Sequence, residues 1–433
     1  MLDGPSTDYH ILTASDVSAY LANHSTLAEH LGGLPSEWAC RDVADGNLNS
    51  VFLIDGPDGG LCVKQALPYV RVAGESWPMD INRAFFEYSY TSRLEPFVGT
   101  LLPKIYHFDE VQFIIVMEKL EPHVILRKAM IEGIHHPRVP IDVAAFVAAA
   151  SFYTSDLAAP FEVKCADQAI FSRNVALQRI SVDLVFIDPY TSALRNVISE
   201  RLVPWAAALR NDVDLKGAVA RARIAYLTKA QSLIHGDLHT GSILATQDDT
   251  RIIDGEFAWI GPSGFDVGNF IAHYIMAWYA EPFHPAAPEP DRRFRDLVAA
   301  DIVIFWQRFE AQFLGHWRAF KGEADGFPAS HFGDAAASSR LETLRRAYVA
   351  DIFSDALAFL ACKIIRRILG FAQVADFLSI DDLEARSHAQ AGALAFARSL
   401  LLYPERYRDI AAVVAALPRF ENAGLFPTET RHL

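Results

Sequence analysis

Apolar and polar positions follow two different patterns, which change near residue 120. Before that point, short apolar runs alternate with turn residues, as is typical of strands. The segment ACRDVADGNLNSVFLIDGPDGGLCVKQA indicates strand, turn, strand, turn and strand between residues 39 and 66. Within it, DGPDGG at 55–60 is assigned to a hairpin turn, because glycine tolerates the positive φ that tight turns require. The chain therefore begins with a β-rich region.

Two helices and two further strands complete this first region. Apolar residues recur at helical spacing in residues 13–31 and again in 81–97, the second helix beginning near Asp80. The stretch LPKIYHFDEVQFIIVMEKL at 102–120 predicts two strands joined by a turn. The first 120 residues are thus expected to hold an N-terminal helix, about five strands and one inserted helix.

From residue 121 onward the spacing becomes mostly helical. An exception is the middle of this region, where LIHGDLH, SILAT and TRIIDGEF predict short strands and tight loops. We predict an α+β protein with a small β-rich N-terminal lobe, residues 1–119, and a large, mostly helical C-terminal lobe, residues 120–433. The predicted helices of the second lobe are 142–156, 194–210, 215–231, 292–320, 337–370 and 391–416.

Composition narrows the class of protein. The chain has 433 residues, 51% of them hydrophobic, and a formal net charge of −14. So long a chain is expected to form two domains or lobes, and so acidic a chain is not expected to bind nucleic acid. The first residues lack the pattern of a signal peptide, and no apolar run is long enough to cross a membrane. Four cysteines without a CxxC pair fit reduced thiols, and we expect a cytoplasmic protein.

The acidic residues of the middle region have the types and spacing that phosphoryl transfer from ATP requires. Asp237, in the tight loop HGDLH, is the candidate catalytic carboxylate that would orient a substrate hydroxyl and accept its proton. Asp254 and Glu256 follow a strand two residues apart and would offer hard oxygen ligands to Mg²⁺, with Ser242 as a further ligand. His235 and Asp266 are assigned to bracing this loop, Asp266 also capping a helix that begins near residue 268.

The N-terminal region supplies candidates for binding the phosphates. Lys64 lies in the apolar strand LCVKQA, where a buried ammonium needs a partner, and Glu87 on the following helix is the expected one. The alternative is a lysine on an edge strand that points to water. The turn before this hairpin would approach the phosphates through Gly46, Asn47 and Asn49, although such a turn is most often only a hairpin.

A cationic group lies near the end of the chain. The apolar helix predicted at 358–377 carries Lys363, Arg366 and Arg367, which share one face because they are three and four positions apart. Guanidinium groups suit phosphates and charged transition states. An ordinary surface stripe is the alternative, but the apolar residues around these cations favour burial.

These motifs resemble a known group of enzymes. HGDLHTGSI and EFAWIGPSGFDVGNFIA resemble the phosphotransferases related to choline kinase and the aminoglycoside kinases, and within them the 5-methylthioribose kinases. Supporting stretches are DGNLNSVF, VKQALPYVRVAGESWPMDINRAFFE, ILRKAMIEG, DLVFIDPY and IRRILGFAQVAD, which together run from residue 45 to 376. One departure is Gly255, where the resemblance leads us to expect proline.

The resemblance implies a bilobal protein-kinase-like fold that uses ATP and Mg²⁺ to phosphorylate the C1 hydroxyl of 5-methylthioribose in methionine salvage. It implies a homodimer, with Met117 and Glu118 forming the hinge near adenine. Arg366 and Arg367 would lie at the reactive end of the sugar, and Trp77 would belong to a flap near it. Three alternatives stay open: a kinase of another 5-modified ribose such as 5-deoxyribose, a kinase of the aminoglycoside or choline type, and a non-catalytic nucleotide-binding module.

Overall fold

The N-terminal part of the chain forms a five-stranded sheet flanked by helices. The structure is a computed structural model that describes residues 9–43, 48–71, 74–284, 292–322, 324, 326 and 335–425. The elements of the first part are α1 (Ala14–Ala22), α2 (Ser25–Leu31), β1 (Ala39–Asp42), β2 (Asn49–Asp55), β3 (Gly60–Ala66), β4 (Tyr69–Val70), β5 (Gly74–Pro78), α3 (Arg83–Val98), β6 (Ile105–Asp109) and β7 (Ile114–Glu118).

The sheet is antiparallel throughout, in the order β1-β2-β3-β7-β6. Alternate side chains of a strand point to opposite faces, so Leu61 and Val63 of β3 pack under α1 and α2. The same alternation places Lys64 on the other face, towards α3. The sheet thus has apolar side chains on both faces, and Lys64 is a buried charge among those on the α3 side.

The second part of the chain is mostly helical. Its elements are β8 (Val124–Ile125), α4 (Leu126–Ile131), α5 (Val139–Tyr153), α6 (Phe161–Phe171), α7 (Val175–Phe186), α8 (Val203–Asn211), α9 (Val213–Thr228), β9 (Ser232–Ile234), β10 (Ile243–Ala245), β11 (Thr250–Ile252), β12 (Trp259–Gly261), α10 (Gly264–Ala280), α11 (Arg292–Ala319), α12 (Ala335–Leu369), α13 (Ala375–Leu378), α14 (Leu383–Leu402) and α15 (Ile410–Ala416).

Helix α10 is the centre of this second lobe. Every one of its residues is buried, and it packs against α12, α11 and α14. Helix α3 of the first lobe joins the same core through Phe86, Tyr90 and Leu94. The sheet lobe is therefore attached to the helical lobe by a shared apolar helix as well as by the chain connection.

The predicted α+β class, with a β-rich first part and a helical second part, is confirmed. The exact division at residue 119 stays a proposal; β8, just beyond it, pairs with β10 of the second part. The two long helices predicted at 292–320 and 337–370 are present as α11 and α12. Within the described ranges, no helix is both long and apolar enough to cross a membrane.

Three predicted helices were wrong in their extent. The helix predicted at 358–377 ends with α12 at Leu369, and α13 begins separately at Ala375. The helix predicted at 194–210 begins only at Val203, because Arg195 and Asn196 instead bond to the turn at Asp188. The helix predicted at 391–416 is two helices, α14 and α15, because Pro404 has no backbone N–H to continue the hydrogen-bond ladder. Helices α6 and α7 were not among the predicted ranges.

Candidate active site

Lys64 is held between two carboxylates where the lobes meet. Its Nζ lies 2.7 Å from Glu87 Oε2 and 2.6 Å from Asp254 Oδ1. Burial alone would lower the pKa of Lys64, but Asp254 and Glu87 raise it above its ordinary value, so the amine stays charged. The predicted pairing with Glu87 is confirmed, and the alternative of a water-facing lysine is wrong because the side chain is buried. The lysine is fixed in position at the mouth of the cleft between the lobes.

Asp254 follows β11 in a left-handed conformation, with φ of 66°. Its side chain is 45% exposed, so one carboxylate oxygen pairs with Lys64 while the group stays open to the cleft. The next residue is Gly255, and a Cβ there would lie 2.4 Å from Cδ1 of Tyr90. Glycine at 255, where proline was expected, is therefore required by the ring packed against it.

Glu256 is turned towards the N-terminal lobe. Its Oε2 accepts a hydrogen bond of 2.8 Å from Asn49 Nδ2 and lies 3.5 Å from Arg83 Nε. Arg83 also donates to Asn49 Oδ1 at 2.9 Å. All three residues are buried. Asn49, predicted to approach the phosphates, thus also joins the two lobes.

The donor set fits Mg²⁺ of the kind that a nucleotide completes. Mg²⁺ is commonly held by one or two carboxylates together with substrate phosphates, and Asp254 offers such an oxygen to the cleft. The metal-ligand role of Glu256 stays a prediction, because its Oε2 is already bonded to Asn49. The residues the structure describes contain no cluster of three or more His, Cys, Asp or Glu that would enclose a metal by itself. A site completed by phosphate oxygens is the arrangement that these residues suit.

The loop that carries Asp237 is braced by Asp266. His235 N donates to Asp266 Oδ2 at 2.6 Å and Gly236 N donates to Oδ1 at 3.0 Å. His235 Nε2 donates to Ile253 O at 2.9 Å, which ties the loop to the segment leading into Asp254. These contacts are those expected of His235 and Asp266. The expected helix start near residue 268 was wrong, because α10 begins at Gly264 and Asp266 lies in its first turn.

Asp237 lies in a ring of nitrogen donors. Lys363 Nζ is 2.6 Å and an Arg367 amino group 3.6 Å from its Oδ1, while His239 Nε2 is 3.4 Å from its Oδ2. Burial would raise the pKa of Asp237, but Lys363, His239 and Arg367 hold it well below its usual range. Asp237 is therefore an ionised carboxylate, ready to accept a hydrogen bond.

Ser242 is engaged inside the same loop. Its Oγ lies 2.9 Å from both the N and the O of His239, and 3.2 Å from Asp237 O. These hydrogen bonds hold the turn after Asp237 in shape. The metal-ligand role of Ser242 stays a prediction, and direct ligation would compete with these contacts.

The cationic residues of α12 are buried, which excludes the surface stripe. Arg366 and Arg367 both donate to Ala372 O, at 3.4 and 3.1 Å, in the turn after the helix. Trp77 lies beside that turn, its ring centroid 5.0 Å from that of Phe371. The flap residue expected from the resemblance is thus next to the paired arginines.

Of the remaining residues predicted to bind ATP, the structure describes Met117 and Glu118. Met117 lines a cavity between the lobes together with Glu87, His235 and Asp254. Glu118 accepts from Arg251 at 2.9 Å and from Lys104 N at 3.1 Å. Gly46 and Asn47 lie outside the described residues. The assignment of these residues to ATP stays a prediction.

Sequence reasoning assigned no role to one further group at the site. Arg127, at the start of α4, contacts Thr240 of the Asp237 loop, His273 of α10 and Asp376 of α13. No motif spacing links these residues, although Arg127 falls in the stretch ILRKAMIEG. Its neighbours Lys128 and Glu132 are also charged, so its charge was no signal by itself.

A sheet lobe and a helical lobe meet at Lys64, which is paired with Glu87 and Asp254. This arrangement is that of a phosphotransferase of the protein-kinase-like class. The profile of the phosphotransferase enzyme family matches residues 39–289. The chain belongs to that family and, within it, to the methylthioribose kinases.

The relatives that establish this cover nearly the whole chain. A methylthioribose kinase from Escherichia coli is 35% identical over 96% of this chain and 99% of its own length. Methylthioribose kinase 1 from Oryza sativa subsp. japonica is 35% identical over 95% of this chain and 96% of its own length. A methylthioribose kinase from Geobacillus sp. is 37% identical over 88% of this chain and 90% of its own length.

Proposed function

We propose that this enzyme transfers the γ-phosphoryl group of ATP to the C1 hydroxyl of 5-methylthioribose. The product is 5-methylthioribose 1-phosphate, an intermediate of methionine salvage. Family membership over nearly the full chain supports this substrate. The observation that carries the chemistry is the ionised Asp237, which lies among nitrogen donors in a loop that His235 ties to the segment leading into Asp254.

On the nucleotide side, Lys64 would bind the phosphates and Glu87 would keep its ammonium aimed at them. Asp254 and Glu256 would hold Mg²⁺, which would screen the negative charge of the phosphates. Gly46, Asn47 and Asn49 would approach the phosphates, and Met117 and Glu118 would lie near adenine. This arrangement presents the γ-phosphorus to the loop that carries Asp237.

On the sugar side, Asp237 accepts a hydrogen bond from the C1 hydroxyl and aims its oxygen at the γ-phosphorus. The new bond joins that oxygen to phosphorus as the bond from phosphorus to the β,γ-bridging oxygen breaks, and ADP leaves. The hydroxyl proton passes to Asp237. Arg366 and Arg367 stabilise the negative charge on the transferring group, because guanidinium donors match its oxygens. Trp77 would cover the sugar from the side of Phe371.

We further propose that the enzyme is a cytoplasmic homodimer that does not bind nucleic acid. An acidic cytoplasmic homodimer without nucleic-acid partners agrees with the net charge of −14 and with the family resemblance. Sedimentation equilibrium at micromolar concentration would test the dimer, which predicts twice the mass of the 48.0 kDa chain.

A substrate panel tests the proposed function. We expect Mg-ATP turnover with 5-methylthioribose, slower turnover with 5-deoxyribose, and none with choline or kanamycin. Arg366, Arg367 and Lys363 beside Asp237 would repel a cationic substrate. Faster phosphorylation of choline or kanamycin than of either pentose would contradict the proposal. Binding of Mg-ATP without turnover of any sugar would favour a non-catalytic nucleotide-binding module.

A further inference from the structure

Arg127 is held rigidly at the edge of the Asp237 loop. Its Nε lies 3.2 Å from Thr240 Oγ1 and 3.4 Å from Asp376 Oδ2, and one terminal amino group lies 3.3 Å from His273 Nδ1. Its backbone N–H also donates to Thr240 O at 2.9 Å. Asp376 and His273 are fully buried. Arg127 is thus fixed from the loop, from α10 and from α13.

One side of this guanidinium is left for a ligand. Among the described residues, the other terminal amino group of Arg127 has no hydrogen-bond partner, and the side chain keeps 17% of its surface exposed. That nitrogen lies 3.0 Å, and His239 Cε1 2.8 Å, from the place where a Cβ on Gly241 would stand, so the glycine lets Arg127 and His239 approach each other. Because the Arg127 guanidinium is fixed in orientation and partly exposed, it can donate hydrogen bonds to a ligand.

His239 lies between Arg127 and Asp237, and its tautomer can be assigned. Gly241 N donates to His239 Nδ1 at 2.9 Å, so Nδ1 accepts and the ring proton is on Nε2, which faces Asp237 Oδ2 at 3.4 Å. Burial, with the nearby charges of Arg127 and Arg367, lowers the pKa of His239 to about 3. The ring is therefore neutral.

The two oxygens of Asp237 consequently face different surroundings. Oδ1 faces the cations Lys363 and Arg367, which suit the phosphoryl group. Oδ2 faces the neutral His239, beyond which lies Arg127. A pentose whose C1 hydroxyl is on Asp237 has its other ring hydroxyls within a few ångströms, and on the Oδ2 side His239, with Arg127 near it, offers them hydrogen-bond donors.

We propose that Arg127, together with His239, binds the non-reacting ring hydroxyls of the pentose and makes the enzyme selective for an intact 2,3-diol. This inference rests on the proposed function, because it takes Asp237 as the residue that binds C1–OH. Asp376 and His273 act as positioning residues that keep the Arg127 fork aimed at the diol.

The test pairs removal of the side chain with removal of the hydroxyl. Wild-type enzyme and Arg127→Met are each assayed for kcat/KM with 5-methylthioribose and with its 2-deoxy and 3-deoxy analogues. A site built to bond a hydroxyl rejects an analogue lacking it, and we expect the wild type to disfavour at least one analogue by about 10²-fold. In Arg127→Met, which has similar length but no donors, that ratio should fall to within about threefold, since the lost hydrogen bond is the same one.

Arg127→Lys is the matched variant. It keeps the positive charge but not the planar guanidinium, so its ratio of kcat/KM between 5-methylthioribose and a deoxy analogue should be intermediate. If the methionine variant does not fold, this ratio in Arg127→Lys is the test. The Kd for Mg-ATP should be unchanged in both variants. A drop in kcat/KM that is equal for all three sugars would show a merely structural role and overturn the inference.

Failure of the proposed function would look different, because the wild type would then not phosphorylate 5-methylthioribose. In that case the same comparison applies to the deoxy analogues of whichever pentose it does phosphorylate. An unchanged discrimination ratio there would also overturn the inference.

Discussion

At the scale of single residues, the chemistry depends on how the partly buried Asp237 is kept ionised. Replacing it with asparagine preserves its shape but removes the proton acceptor and the negative charge opposite Lys363. We expect kcat of Asp237→Asn to fall by about 10²- to 10⁴-fold, the usual contribution of a positioned base. The Kd for Mg-ATP, measured by calorimetry, should change little, since Lys64 and Asp254 are intact. Substantial remaining turnover would contradict the role of Asp237.

Lys363 makes the site sensitive to pH. Burial lowers the pKa of Lys363 to about 7, with Asp237 opposing the shift and Arg367 adding to it. Below about pH 7 the lysine is protonated, and its positive charge stabilises the negative charge on the transferring phosphoryl group. As the pH rises through this value the proton is lost, so kcat/KM should fall with a single ionisation near 7.

The control for this pH dependence is Lys363→Met. It should have a lower kcat/KM at every pH and lack the ionisation near 7, which a pH series at saturating Mg-ATP would reveal. If the ionisation persists in the variant, it belongs to another group.

Some site residues could be predicted from sequence because their signal is local. Lys64 interrupts an apolar strand, and Asp237, Asp254 and Glu256 fall in short motifs whose residues are neighbours in the chain. Arg127 and Asp376 could not be predicted, because they meet only when α4 and α13 are brought together by folding. The requirement for Gly255 likewise depends on Tyr90, which comes from α3.

At the scale of elements, two helices hold opposite sides of the site, and glycine sets their distance. Helix α10 carries Asp266 and α12 carries Lys363 and Arg367, and the helices cross closely at Gly264 and Gly268. A Cβ at Gly268 would stand 2.5 Å from Ala356 O and 3.0 Å from Leu360 N. Backbone atoms inside a helix cannot yield to it, so the helices would have to separate.

We therefore expect Gly268→Ala to lower the free energy of unfolding by about 1–3 kcal/mol, the usual cost of overpacking. It should also lower kcat, since separation of α10 and α12 moves Asp266 away from Lys363. Urea denaturation and steady-state kinetics would measure the two effects. The control is Gly315→Ala in α11, where a Cβ meets nothing within 4 Å; there we expect a gain of about 0.5–1 kcal/mol. A stable and fully active Gly268→Ala would contradict the close crossing.

The presence of a helix was easier to predict than the residues at which it begins and ends. Helices α11 and α12 are long, so their periodic pattern is strong. The segment before α8 has helical composition, yet Arg195 and Asn196 bond to Asp188 and keep it non-helical. That outcome depends on a tertiary contact which no window of sequence contains.

At the scale of the whole molecule, the lobes are joined at the site itself. Helix α3 packs its apolar face into the helical lobe, and at its first residue Arg83 pairs with Glu256 and Asn49. The Arg83 and Glu256 side chains are 1% and 6% exposed, so each charge depends on the other inside a region of low dielectric. The link between the lobes is therefore electrostatic as well as apolar, and it ends on a residue proposed to hold the metal.

Replacing Arg83 alone should lower the free energy of unfolding far more than replacing Arg83 and Glu256 together. We expect Arg83→Met to lower the free energy of unfolding by about 3–5 kcal/mol, because Glu256 is left as an uncompensated buried charge. The double variant Arg83→Met/Glu256→Gln should recover at least about 1 kcal/mol of that loss, since glutamine still accepts from Asn49 without a charge. Urea denaturation without metal or nucleotide measures stability apart from catalysis.

The control is Arg138→Met, which breaks an ion pair whose arginine is 55% exposed and should lower the free energy of unfolding by less than about 0.5 kcal/mol. Additive losses in the double variant would mean that Arg83 stabilises the protein by packing alone, without an ion pair to Glu256.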